Sequence, residues 1–115
     1  MRVLTIATHT DGARHVLALA GDLDFRTAPQ LHAGVQALAL GPDRGLVIDL
    51  SGLTFCDSSG ITAMLAAQRL AAAAEAPMAL AAVPGRVTRT FKLAGLDQVF
   101  TVHATTAEAT AEDLI

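Results

Sequence analysis

The 115-residue sequence predicts an α/β fold: a mixed β-sheet packed against α-helices, in the order β-β-α-β-α-β-α-β-α. Three observations carry that expectation. Alternating segments lie on both sides of Asp11-Gly12, a short-range hairpin signal. The run "GLVIDLSG" (45–52) is apolar, rich in branched residues and bounded by glycines, as a strand covered on both faces reads. Beyond it, helical patterns alternate with short apolar runs, which implies right-handed parallel crossovers.

The elements follow in order. Leu4 and Ile6 share one face of the first strand, and Leu17 and Leu19 share one face of the second. "GDLDFRTAPQLHAGVQALALG" begins as a loop and becomes a helix. Thr27 is its candidate N-cap, Pro29 fits its first turn and Gly41 fits its stop. Leu31, Val35 and Leu38 recur at helical spacing. After the central strand, "GITAMLAAQRLAAAAEA" is helical by both propensity and pattern, and Pro77 ends it. "MALAAV" reads as a strand. "PGRVTRTFKLAG" reads as a helix with Gly95 as its C-terminal signal. "QVFTV" reads as the last strand. Thr105 and Glu108 have capping-box spacing at the start of a closing helix.

Bulk properties narrow the function classes. The length predicts one domain over residues 1–115, able to bury a core without disulfide or metal staples. Apolar residues make up 52% and charged residues 17%, which argues against disorder. A net charge of -3 gives no electrostatic footprint for nucleic acid, and four Phe with no Tyr or Trp give no base-stacking platform. The one cysteine, Cys56, permits no internal disulfide, so a reducing compartment is expected. The N-terminal residues lack a leader's long apolar run, and the Ala-rich stretch is too short to span a bilayer. The expectation is a cytoplasmic monomer with no membrane partner and no cofactor.

The chemistry concentrates in "FCDSSGITAM" (55–64), where Asp57, Ser58, Ser59 and Gly60 fall between a buried strand and a helix start. The first N–H groups of a helix lack partners and carry positive potential, so Asp57 or a serine could simply cap them. The same geometry suits a phosphate. A phosphate on Ser58 or Ser59 would add about -1.5 to -2 charges, changing partner binding more than fold. A nucleophilic serine fits less well. The elbow pattern is G-x-S-x-G, this sequence has C-D-S-S-G, and the four histidines are scattered over different elements.

Other candidates have plainer readings. Asp22 and Asp24 could form a paired-carboxylate or metal site, but loop acids that cap the next helix and bond their own backbone fit better. Asp49, inside an apolar strand, needs a partner or the strand's end, and could hold the loop that follows. Arg86, Arg89 and Lys92 recur every third residue, as on a solvated helix face. Cys56 has no basic neighbour in sequence to lower its pKa, which weakens a redox role. The Ala-rich helix is apolar nearly all round, so part of it is a candidate docking surface near Gln68 and Arg69.

"VIDLSGLTFCDSSGITAM" resembles the STAS domain of bacterial anti-sigma factor antagonists. "LALAGDLDFRTAPQL" resembles that family's strand, G-x-L-D loop and first helix, and "FKLAGLDQVFTV" resembles its late helix-to-strand passage. The resemblance spans essentially the whole chain. It implies a mixed sheet covered by helices mostly on one side. It also implies a non-enzymatic binding protein that engages an anti-sigma factor serine kinase and frees the sigma factor. That kinase would phosphorylate Ser58 and so release the antagonist, and a PP2C-type phosphatase would reset it. Asp22, Asp24, Asp57, Ser58, Ser59, Gly60 and Ile61 would form the switch and partner-binding loops. The alternative is a STAS scaffold in a stress-signalling or lipid-transport assembly. Two departures stand out: Ile61 is followed by Thr62-Ala63 where the family often has glycine, and Cys56 replaces an aliphatic residue or Met.

Overall fold

The computed structural model describes residues 3–111. The chain opens with β1 (Thr5–Asp11) and β2 (Arg14–Leu23), followed by α1 (Ala28–Gln36) and β3 (Gly45–Cys56). Next come α2 (Ser58–Ala73), β4 (Met78–Ala81) and α3 (Gly85–Leu93). A four-residue α4 (Leu96–Val99), β5 (Thr101–His103) and α5 (Thr106–Ala111) complete it. The five strands form one mixed sheet in the order β1-β2-β3-β4-β5. β1 and β2 are antiparallel, and every later pairing is parallel.

Alternation along the strands decides which side chains face which layer. Leu46, Ile48 and Leu50 of β3 enter a core with Leu17 and Leu19 of β2, Leu31 and Val35 of α1, Met64 and Ala67 of α2, and Val87 and Phe91 of α3. Each large aliphatic side chain buried there contributes roughly 1.5–3 kcal/mol of transfer free energy. Val47, between them in sequence, points the other way and joins Val16, Ala79, Ala81 and Ala109 of α5 in a smaller cluster. The central strand is thus covered on both faces, with α1, α2 and α3 on one side and α5 on the other.

The hairpin loop is Gly12-Ala13, one residue later than Asp11-Gly12. Asp11 still pairs with Arg14, and Gly12 takes the positive φ of +59°. β3 runs past Gly52 to Cys56, because β2 keeps pairing with it through two register shifts. The segment read as the last strand begins as α4 instead. Leu96 and Phe100 are both buried, and Phe100 N–H bonds the Leu96 carbonyl, so one helical turn serves the core better there than extension. α1 ends at Gln36, short of Gly41, while Leu38 and Leu40 still pack against the core. At α5, Thr105 Oγ1 accepts from Glu108 N–H at 3.1 Å, half of the expected capping box.

Candidate functional site

β3 delivers Asp57 to the N-cap of α2 in extended conformation. Its Oδ1 accepts hydrogen bonds from the backbone N–H of Ser59 at 2.9 Å and of Gly60 at 3.1 Å. Its carbonyl accepts from Ile61 N–H at 3.1 Å. The Asp57 side chain therefore satisfies two donors that the helix start would otherwise leave unpartnered, while its carbonyl takes the first regular bond of the helix.

Ser58 is the first helical residue and is exposed, whereas Ser59 is half-buried. The Ser58 carbonyl accepts from Thr62 Oγ1 at 3.0 Å, inside the first turn. Gly60 is buried where α2 meets the end of β2. A Cβ there would lie 2.7 Å from the Leu23 carbonyl oxygen and 2.8 Å from Cys56 Sγ. The helix start can sit this close to the sheet only with glycine. Ile61 is half-buried and packs against the main core.

The end of β2 and the loop that joins it to α1 lie alongside. Asp22 Oδ1 accepts from Thr54 Oγ1 of β3 at 2.7 Å, and Asp22 pairs with Phe55 in the β2–β3 register. Asp24 Oδ1 accepts from Arg26 N–H at 2.9 Å, and Arg26 Nη2 donates to Oδ2 at 2.7 Å. The Arg26 side-chain hydrogen bond holds the Asp24 carboxyl below the usual carboxylate range, against the opposing effect of burial. Among the described residues, no group of acids, histidines or cysteines forms here that could hold a metal ion.

The Asp24 carboxylate does not cap α1, although it bonds its own loop's backbone at Arg26 as expected. The Asp24 backbone carbonyl takes the Thr27 and Ala28 N–H groups instead. Thr27 stands at the N-cap, but its hydroxyl turns back, donating to the Asp22 carbonyl at 2.8 Å and accepting from Asp24 N–H at 3.0 Å. A buried hydroxyl in a tight loop is worth more as a loop clasp than as a cap that water could replace.

Two other expectations are altered, and the reading of Cys56 as a small core side chain holds. Asp49 does not hold the switch loop. Its carboxylate accepts from Ser51 N–H two residues on, at the level where β4 stops pairing. Gln68 is spent on structure: its Nε2 donates to the Val99 carbonyl at 3.0 Å, tying α2 to α4. Cys56 is buried, and burial, aided by the Asp57 charge, pushes its thiol up to about 12, so it is a core side chain with negligible thiolate.

One feature had no signal in the sequence. A groove of about 590 Å³ runs between α1 and α2, beside the switch loop. Its walls include Ala28 and Ala33 on α1 and Ser59, Thr62 and Ala66 on α2. Phe25 lines it as well and is 71% exposed. Only the packing of two helices through small side chains reveals such a space. His32 lines the same groove but makes no hydrogen bond to Ser58 or Ser59, so no serine–histidine pair is assembled there. Arg86, Arg89 and Lys92 are exposed on α3. Among the described residues, no helix is long and apolar enough to cross a membrane.

Comparison with known proteins follows the same lines. The family model described as "Mlab, STAS domain" matches residues 6–103. An anti-sigma factor antagonist from Mycobacterium paratuberculosis is similar at 26% identity, with a TM-score of 0.83 over 95% of this chain and 92% of that one. The fold is shared with the Bacillus cell fate determinant SpoIIAA in its phosphorylated form, at 22% identity and a TM-score of 0.68 over 94% and 98% of the two chains. It is shared too with the STAS domain of a SulP transporter from Vibrio cholerae, at 18% identity and a TM-score of 0.71 over 92% and 84%. With the mixed sheet, the loop before α1 and the start of α2 all inside the matched stretch, the chain belongs to the STAS domain family.

Proposed function

We propose that this protein is an anti-sigma factor antagonist whose unphosphorylated form binds an anti-sigma factor serine kinase and frees the sigma factor. Phosphorylation of Ser58 by that kinase ends the complex, and a PP2C-type phosphatase restores the active form. The observation that carries this reading is the exposure of Ser58 at the first position of a helix that Asp57 already caps. A phosphate there adds about -1.5 to -2 charges at a helix N-terminus, where negative charge is tolerated, so the fold survives. A partner packed over the same spot must instead bury a dianion, and it lets go.

Each loop residue has a part in this reading. Asp57 orients the serine, Gly60 brings the helix start against the sheet, and Ile61 anchors it to the core. Asp22 and Asp24 shape the neighbouring loop; the half-buried Asp22 contacts the partner, and Asp24, 6% exposed, acts through the Arg26 that it holds. Ser59 is the poorer acceptor, being half-buried with its N–H held by Asp57. No step requires catalysis by this chain.

The test is a binding titration against the host's anti-sigma factor kinases with wild type, Ser58→Ala and Ser58→Asp, together with intact-mass analysis after ATP is added. The reading expects wild type to bind, gain one phosphate at Ser58 and lose affinity. Ser58→Ala should bind but take no phosphate there, and Ser58→Asp should bind weakly. A second reading, a scaffold in a non-sigma assembly, is favoured by the shared fold of the SulP transporter domain. It gains if no kinase binds and Ser58 stays unmodified.

A further inference from the structure

We propose that the groove between α1 and α2 seats an apolar anchor side chain of the same kinase, making it a second contact that phosphorylation does not touch directly. This rests on the kinase-binding reading above. The groove is continuous with the switch loop on both walls. Ser59 on the α2 wall follows Ser58, and Phe25 follows Asp24. A partner that covers Ser58 therefore covers the mouth of the groove.

The lining suits an apolar occupant. Ala28, Ala33 and Ala66 are too short to fill about 590 Å³ themselves, and the space is large enough to hold a bulky side chain. Phe25 is an aromatic side chain left 71% exposed at a loop tip, where it gains nothing from burial in the free protein. Packed against a partner's aliphatic or aromatic side chain, it would behave as interface anchors do: desolvated, central and ringed by polar contacts. The polar ring is present in Ser59 and Thr62.

The test uses full-length protein and calorimetric titration against the kinase that wild type binds. Phe25→Ser and Ala33→Arg alter groove positions that are exposed in the free protein, so both should fold, as checked by thermal melting. Arg89→Ala, on the exposed face of α3, is the control. Each groove variant should weaken binding at least tenfold, by the same factor in the wild-type and Ser58→Ala backgrounds, and the control should stay within twofold. If Ser58→Asp abolishes binding while both groove variants bind like wild type, the groove proposal falls and the switch reading stands. If wild type sediments as a dimer that Ala33→Arg splits, with kinase affinity unchanged, the occupant is a second copy and the proposal is overturned. If wild type binds no kinase, both fall together.

Discussion

Asp22 accepts a 2.7 Å hydrogen bond from Thr54, and this contact ties the end of β2, just before the loop into α1, to the strand that delivers Ser58. The contact is partly buried, so losing the donor leaves a polar group short of its partner. Thr54→Val keeps the side-chain shape and removes the donor. It should lower stability by about 1–2 kcal/mol in urea unfolding. It should also weaken kinase binding in proportion to the loosening of the two loops. Unchanged stability together with unchanged affinity would show that the loops are positioned independently.

Among the described residues, Asp57 alone caps α2 with its side chain. Asp57→Ala should cost about 1 kcal/mol, and Asp57→Asn less, because an amide oxygen still accepts from Ser59 and Gly60. Amide hydrogen exchange at Ser59 and Gly60 should accelerate in the alanine variant before that of the helix middle does. Equal protection in both proteins would mean that the helix start is held by packing alone.

Gly60→Ala sets two effects against each other. Helix propensity favours alanine by up to ~1 kcal/mol. The new Cβ, however, would meet the Leu23 carbonyl oxygen at 2.7 Å and Cys56 Sγ at 2.8 Å. Because one of these neighbours is backbone, strain should win, with a net loss of about 1–3 kcal/mol. Chemical shifts at Leu23 and Cys56 should move most. A stabilised variant would contradict the close approach of α2 to β2.

Cys56 should be inert in the native protein. Its folded-state pKa near 12 exceeds that of an unfolded thiol. The associated stability is complete below the unfolded pKa and is lost as pH rises towards 12. At pH 8, iodoacetamide should label the native thiol far more slowly than the urea-unfolded one. Similar rates would indicate local opening at the end of β3.

Asp24 gives the opposite sign. Its carboxyl titrates below the usual range chiefly because Arg26 donates to it. The stability it contributes is present above the ordinary Asp pKa of about 3.9 and is lost as pH falls through the lower folded value. In Arg26→Ala the Asp24 carboxyl should titrate closer to that ordinary value, as read by carboxyl chemical shifts. No movement would assign the effect to the backbone donors at Arg26 and Thr27.

Much of the architecture was legible because each layer wrote its period into the chain. Leu46, Ile48 and Leu50 alternate with Val47 and Asp49, and the Ala-rich run after Ser58 favours a helix whatever it packs on. The cap was legible for the same local reason: Asp57 bonds N–H groups only two and three residues away. α4 was not, because a four-residue turn has no period to detect, and the burial of Leu96 and Phe100 settles it.

The sequence by itself determined the order of every element but α4, the hairpin, the doubly covered central strand and the place of Ser58 at a helix start. Those features depend on periodicity, propensity and short-range hydrogen bonds, all of which act over a few residues. Only the tertiary structure decided what stands beside Ser58. Asp22 reaches Thr54 across 32 residues, and Asp24 turns to Arg26 rather than to its helix. Phe25 and Ser59 come to line one groove. The Asp22–Thr54 bond and the groove join segments far apart in the chain, and they are fixed by the register of β2 on β3 and by the packing of α1 against α2, which no local pattern encodes.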